Sequence, residues 1–384
     1  MDWPHGPERP LERNLQHHRA VMNVFVIGTR AQLIKVAPVI LACEKIGLPC
    51  VLLMTGQHQE TMQDIIGEFS IRSPQRTATV AREHATVMSL ISWLPGACRG
   101  ILEKLSELKE SCPGNGINVL VHGDTLTTLL SAYCGRRLGL RIIHLESGLT
   151  SGKLLNPFPE EMIRRLVFRV TDVAMCPDDI AAAHMRKVSK AEIFNTRGNS
   201  IIDAADLALG QKAENTRAKT APYLVFSIHR FQNIYNRQRL AKIVAIIAQL
   251  ATEFEIYFIL HPSTKKRLGK TGLMEKLSAV ENVHLSDRMA YGDFIRLVSH
   301  AECVLTDGGS NQEELAYLGI PTIIMRDCTE RVDGVGANAI MEDRAEGGVV
   351  SYLTNGRYRR LRKGARDRGK ASPSDSMAGF LRNM

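Results

Sequence analysis

A chain of 384 residues, 44% hydrophobic and 23% charged, is long for one hydrophobic core and has the composition of a water-soluble protein of two domains. No apolar run approaches the roughly eighteen residues of a membrane span, the best being 243–250 just after Lys242, so membrane insertion is not expected. The net charge of +9 suits an anionic ligand. The basic stretch 357–370 lacks the interleaved aromatics of a nucleic-acid surface and reads as a solvated C-terminal helix, so no nucleic-acid partner is expected.

Residues 1–21 hold three prolines and three histidines without the apolar stretch of a secretory signal, and read as a leader outside the fold. The pattern then alternates strand and helix. Residues 23–28 are an apolar run ending in Gly28-Thr29-Arg30, and 32–46 carry helical periodicity. A β-run at 51–54 and a helix near 61–69 follow. A helical region over 85–109 is interrupted at Pro95-Gly96. Strands are predicted at 119–122, 141–145, 173–176 and 192–196, with helices starting at Thr127 and Pro159 and another after Cys176. Around 211–221 the composition turns polar and the alternation restarts, with strands at 223–228, 256–260, 283–285, 303–306 and 322–325. Eight cysteines without CxxC spacing sit largely in apolar segments, which points to a reducing cytoplasm and away from structural zinc.

Short, continuously apolar strands separated by helices mean parallel sheets covered on both faces, and right-handed crossovers make each a doubly wound unit. The predicted fold is α/β, with two Rossmann-like doubly wound domains facing across a cleft, over 22–200 and 201–373. Ligands of such sheets bind at the carboxyl ends of the strands.

Thr306-Asp307-Gly308-Gly309-Ser310-Asn311 follows a strand and opens a helix. Glycines there admit close approach, and the helix N-terminus favours a phosphate, although the same residues also make an ordinary tight turn. Glu313 and Glu314 fall in that helix's first turn, where a carboxylate accepts ribose hydroxyls or merely offsets the helix dipole. Arg30 and Lys35 at the first strand–helix junction suit a departing diphosphate. The segments His122-Gly123-Asp124, His144-Leu145-Glu146 and Pro159-Glu160 place three carboxylates at one sheet edge. His229, ending the first strand of the second domain, is expected to face them.

Together GTRAQLIKVAP (28–38), TGQHQETM (55–62), HGDT (122–125), HLESGL (144–149), PFPEEMIRR (157–165), HR (229–230), TDGGSNQEE (306–314) and MRDCTERVDGV (325–335) resemble the UDP-N-acetylglucosamine 2-epimerase family. The resemblance covers roughly residues 22–384. It implies a glycosyltransferase-B-like architecture whose C-terminal helix, 374–384, crosses back onto the first domain. It implies a UDP-amino sugar substrate, with Asp124, Glu146, Glu160 and His229 catalytic. Arg30, Lys35, Phe294, Gly308, Gly309, Ser310, Glu314 and Arg331 match substrate- and UDP-binding positions. Gln57 and Arg230 match positions where non-hydrolysing bacterial members bind a second, activating nucleotide-sugar. No cofactor and no metal are implied. A cytoplasmic homodimer serving cell-surface polysaccharide precursor synthesis is expected.

This chain departs from the family at Ala31-Gln32 (usually Pro-Glu), at 150–153 (Thr-Ser-Gly-Lys for Arg-Thr-Gly-Asp) and at Phe231-Gln232 (for Arg-Glu). These positions bear on the sugar's substituents more than on the chemistry. Inverting C2 of such a sugar means breaking a C–H bond that no carbonyl activates. As the C1–O bond to UDP breaks, cationic character at C1 acidifies the C2 proton, and a carboxylate can remove it to leave a 2-acetamidoglucal. UDP then adds back with protonation from the opposite face. The expected enzyme is this non-hydrolysing epimerase. The alternatives are a hydrolysing epimerase that releases free N-acetylmannosamine, a UDP-sugar glycosyltransferase of the same architecture, and an RNA binder using 357–370.

Overall fold

The computed structural model describes residues 21–56, 62–79, 87–112, 116–152, 159–210, 221–326, 333–365 and 372–384. The first half contains β1 (Met22–Ile27), α1 (Arg30–Lys45), β2 (Cys50–Met54), α2 (Gln63–Glu68), β3 (Gln75–Thr77), α3 (Val87–Ser111), β4 (Ile117–His122) and α4 (Leu126–Arg137). It continues with β5 (Arg141–Leu145), α5 (Glu160–Phe168), β6 (Val173–Cys176), α6 (Asp179–Val188), β7 (Glu192–Asn195) and α7 (Ile201–Gly210). The second half runs β8 (Tyr223–Ser227), α8 (Phe231–Ile234), α9 (Arg237–Leu250), β9 (Glu255–Leu260), α10 (Pro262–Lys270), α11 (Leu273–Ser278), β10 (Val283–Asp287) and α12 (Tyr291–Ser299). It ends with β11 (Cys303–Thr306), α13 (Gly309–Leu318), β12 (Thr322–Ile324), β13 (Ala339–Met341), α14 (Gly348–Thr354) and α15 (Pro373–Arg382).

Every strand pairing is parallel, in the orders β3-β2-β1-β4-β5-β6-β7 and β10-β9-β8-β11-β12-β13. The central strands are buried along their whole length, as helices on both faces require, so they read as unbroken apolar runs rather than alternating ones. Two Rossmann-like halves therefore face across a cleft, as the alternation predicts. α7 lies between α1 of the first half and α12 and α13 of the second. There Asp206 accepts from the Tyr317 hydroxyl at 2.9 Å, and Arg296 donates to the Ala208 carbonyl at 2.8 Å. α15 lies on α1 and shares its core through Met377, Ala378 and Leu381.

Three local expectations change. α3 continues through Pro95 instead of breaking there. Proline removes one backbone donor, but the buried Trp93, Ala97, Ile101 and Leu105 give both flanking turns a common packing face that keeps the helix in register. The short edge strands β3 and β13 were not legible in the sequence, because three residues are too few to show a period. At 357–361 the basic stretch forms a single 3-10 turn, pinned by the burial of Tyr358 and Leu361. Among the described residues no helix is long and apolar enough to cross a membrane.

Candidate active site

In each sheet the strand order reverses once, between β1 and β4 and between β8 and β11. At such a point neighbouring loops leave in opposite directions and open a crevice. A cavity of about 320 Å³ lies where the two crevices face, lined by Arg30 and Ile34 from the first half and by His229, His261, Phe294, Gly308, Gly309, Ser310 and Glu314 from the second. A smaller one of about 110 Å³ is lined by Gln32, Lys35, His122, Asp124, Glu146 and Arg164. Ala31 and Ser310 line both.

The larger cavity is organised by Asp307. Its buried carboxylate accepts from the backbone N–H groups of His229 and Arg230 and from the Asn233 amide at 2.8 Å, which fixes the turn after β8. Gly308 leaves room there, since a Cβ would sit a tight 3.0 Å from the His229 ring. Burial pushes His229 below the usual histidine value; Asp307 opposes this, while Arg230, Arg288 and Arg326 reinforce it. Burial pushes Glu314 up to about 8, against the lowering effect of the nearby Tyr291 hydroxyl; Glu313 adds to the rise and Lys35 relieves it. Glu314 is therefore mostly protonated at neutral pH when the cavity is empty.

Around the smaller cavity, the Lys35 ammonium lies 2.9 Å from both Glu146 and Glu313, all three side chains buried. It thus spans the cleft from the first sheet to the helix behind Ser310. His122 Nε2 stands 3.1 Å from Glu146. Glu146 adopts a left-handed backbone, φ 57°, a strain of about 1 kcal/mol or more for a non-glycine residue, and one that aims its side chain into the cavity. Asp124 pairs with Arg164 of α5. Burial would push the neighbouring Glu161 up, but hydrogen bonds from Thr150, Ser151 and Arg165, with the Arg164 charge, hold it below the usual carboxylate value.

Asp124 and Glu146 thus share one cavity wall. Glu160, at the start of α5, lines neither cavity, and among the described residues its buried Oε2 has no hydrogen-bond partner. Arg30 lines the larger cavity, with its guanidinium held by Asp64 at 2.7 Å. Phe294, Gly308, Gly309, Ser310 and Glu314 all reach that cavity. Arg230 turns back to donate to the Asp307 carbonyl and lines neither. Gln57 and Arg331 lie outside the described residues.

Two groups have roles that the sequence reading did not give them. One is Arg164, whose partner is forty positions away. The other is Gln32, which accepts from the Gly28 and Thr29 N–H groups at 3.0 and 3.1 Å and donates to the His122 carbonyl and Thr125 hydroxyl at 2.8 and 2.9 Å. It ties the two loops of the first crevice together. Its capping-box spacing with Thr29 is visible in the sequence; the far ends of the network are not.

A family model described as UDP-N-acetylglucosamine 2-epimerase matches residues 42–350. The UDP-N-acetylglucosamine 2-epimerase of Methanocaldococcus jannaschii is 31% identical over 340 residues, covering 84% of this chain and 88% of that one. The Bacillus subtilis protein of that name is 28% identical over 326 residues, with 83% and 82% covered. Among solved structures, the UDP-GlcNAc 2-epimerase of Neisseria meningitidis bound to UDP-GlcNAc has the same fold, with a TM-score of 0.77 at 24% identity and coverage of 94% and 99%. The Methanocaldococcus jannaschii enzyme in complex with UDP-GlcNAc and UDP gives a TM-score of 0.74 at 27% identity, with 94% and 99% covered.

Proposed function

The chain belongs to the UDP-N-acetylglucosamine 2-epimerase family, and from that premise we propose that it interconverts UDP-N-acetylglucosamine and UDP-N-acetylmannosamine by eliminating UDP and adding it back. The observation that carries this reading is the pairing of two cavities across Ser310. One suits a nucleoside diphosphate, and the other is lined by carboxylates with fixed cations beside them. In this reading uracil lies against Phe294 and the ribose hydroxyls meet Glu314. The diphosphate takes the N–H groups at 308–310, with Arg30 and His229 beside it.

The sugar then enters the smaller cavity with C2 near Asp124 and Glu146. One carboxylate removes the C2 proton as the C1–O bond breaks, and a group on the other face returns one. Glu160 is the third candidate for these transfers, since its carboxyl, whose Oε2 has no partner among the described residues, lies at the N-terminus of the helix that holds Asp124 through Arg164. Lys35 keeps Glu146 oriented while it touches the phosphate-side helix through Glu313. We further propose a non-hydrolysing cytoplasmic homodimer.

Incubation with UDP-N-acetylglucosamine in D2O, followed by NMR, tests the reading. UDP-N-acetylmannosamine deuterated at C2 is expected. Free deuterated N-acetylmannosamine with UDP would keep the elimination and replace the non-hydrolysing assignment. No exchange at C2 would refute the proposal.

A further inference from the structure

The six-residue helix α2 has a side chain at each end committed to the cleft. Asp64 accepts from the Arg30 guanidinium at 2.7 Å. One turn later Glu68 reaches into the other half of the molecule and accepts from the first backbone N–H groups of α12, those of Tyr291 at 3.1 Å and of Gly292. Helix starts leave such donors unsatisfied, and a local Ser, Thr, Asn or Asp usually meets them. Here the residue before α12 is Ala290, which supplies no side-chain cap. The cap comes from across the cleft.

The fit is close. A Cβ on Gly292 would lie 2.7 Å from Glu68 Oε1, and the Phe69 ring sits 5.9 Å from the Tyr291 ring. Near its other end α12 is fastened to α7 by Arg296, which donates to the Ala208 carbonyl at 2.8 Å. Tyr291 and Phe294 of α12 are walls of the larger cavity, and Arg30 is another.

We propose that Glu68 is a positioning residue for the nucleotide end of the cleft, completing α12 in trans so that Tyr291 and Phe294 reach their places only when the two halves meet. Because Asp64 on the same short helix holds Arg30, bringing the halves together sets both walls at once. The positioning role rests on the reading that UDP occupies this cavity; the trans cap itself does not.

The test uses the full chain and the variants Glu68→Ala and Glu68→Gln, with two readouts. The first needs no ligand: hydrogen exchange at the Tyr291 and Gly292 amides, expected to quicken at least about tenfold in Glu68→Ala as the cap is lost. The second is calorimetric titration with UDP, expected to weaken roughly three- to thirtyfold in Glu68→Ala, the range of a lost helix cap. Glu68→Gln, which keeps an acceptor oxygen but loses the charge, should fall between the Ala variant and the unaltered chain. In steady-state assays the loss should appear in KM, with kcat changed less than about twofold.

Unchanged exchange in a folded Glu68→Ala variant overturns the trans cap. Quickened exchange with unchanged UDP affinity overturns the positioning role and leaves a structural cap. Absence of UDP binding by the unaltered chain refutes the nucleotide reading, and with it the positioning role, while the exchange measurement still decides the cap.

Discussion

Glu314→Gln is expected to stabilise the empty protein while weakening its grip on UDP, and the two effects have one cause. Burial raises the Glu314 carboxyl from 4.5 to about 8. At 1.36 kcal/mol per pH unit, that interval corresponds to roughly 5 kcal/mol. Water in the cavity screens part of it, so about 2 kcal/mol is the working expectation. The sign follows from the direction of the shift. Below 4.5 both the folded and unfolded chains carry the proton, and the carboxyl does not favour unfolding. As pH rises toward 8 the unfolded chain releases the proton while the folded chain keeps it, so the native protein loses stability that a glutamine would not lose.

Thermal melts of the two proteins should coincide near pH 4.5. By pH 8 the variant should melt about 2–3 °C higher. Calorimetry at pH 8 should show UDP binding weakened at least about tenfold, since an amide accepts less strongly than a carboxylate from two ribose hydroxyls. A melting difference independent of pH would refute the assignment of a protonated Glu314. An unchanged UDP affinity would refute its contact with the ribose.

Lys35→Met leaves Glu146 and Glu313 facing without their shared cation. It should cost about 3–5 kcal/mol in denaturant unfolding, part of it recovered in the double variant with Glu313→Gln. Burial pushes His144 to about 4, so stability is full above 6.5 and falls as the pH drops from there toward 4. Denaturation at pH 7 and pH 4.5 should show a loss of about 2–3 kcal/mol that shrinks in His144→Gln, whose amide can still donate to the Gly123 carbonyl. Gln32→Leu strands the Gly28 and Thr29 donors and unties the Asp124 turn. A folded variant with kcat lowered tenfold or more is expected, and turnover equal to that of the unaltered chain would dismiss Gln32 as a tie between the loops. Glu160→Gln should slow C2 deuterium exchange by about 10²- to 10⁴-fold, as read by NMR, if its carboxyl moves a proton.

The two-half architecture was legible in the sequence because parallel strands buried on both faces cannot alternate, so Val24–Ile27, Val119–Val121 and Val304–Leu305 stand out as apolar runs between helices. The loops at their carboxyl ends were legible for the same reason, which is how Arg30, Asp124, Glu146, His229 and the 308–310 turn were expected at the cleft, whose cavities they line. Glycine at 308 carries a local signal because the chain passes close to the His229 ring, which a Cβ there would crowd at 3.0 Å.

Partners were not legible. Lys35 was expected beside a diphosphate, and the folded chain places its ammonium between Glu146 and Glu313, residues 111 and 278 positions away. Arg230 matches a ligand-binding position by resemblance, and what the sequence does not show is that its Nε donates to the Asp307 carbonyl. Arg164 pairs locally with Glu161, which gives no hint of its reach to Asp124, and the sequence around Glu68 likewise gives no hint of α12; each acts because α5 or α2 delivers it to a loop or helix from elsewhere in the chain. Propensity, periodicity and turn chemistry are local, so the sequence by itself determined the strands, the helices and the edge at which chemistry would gather. Which charges meet, which carboxyl keeps its proton and which helix is capped from the far side depend on distances across the cleft, and only the tertiary structure decided those.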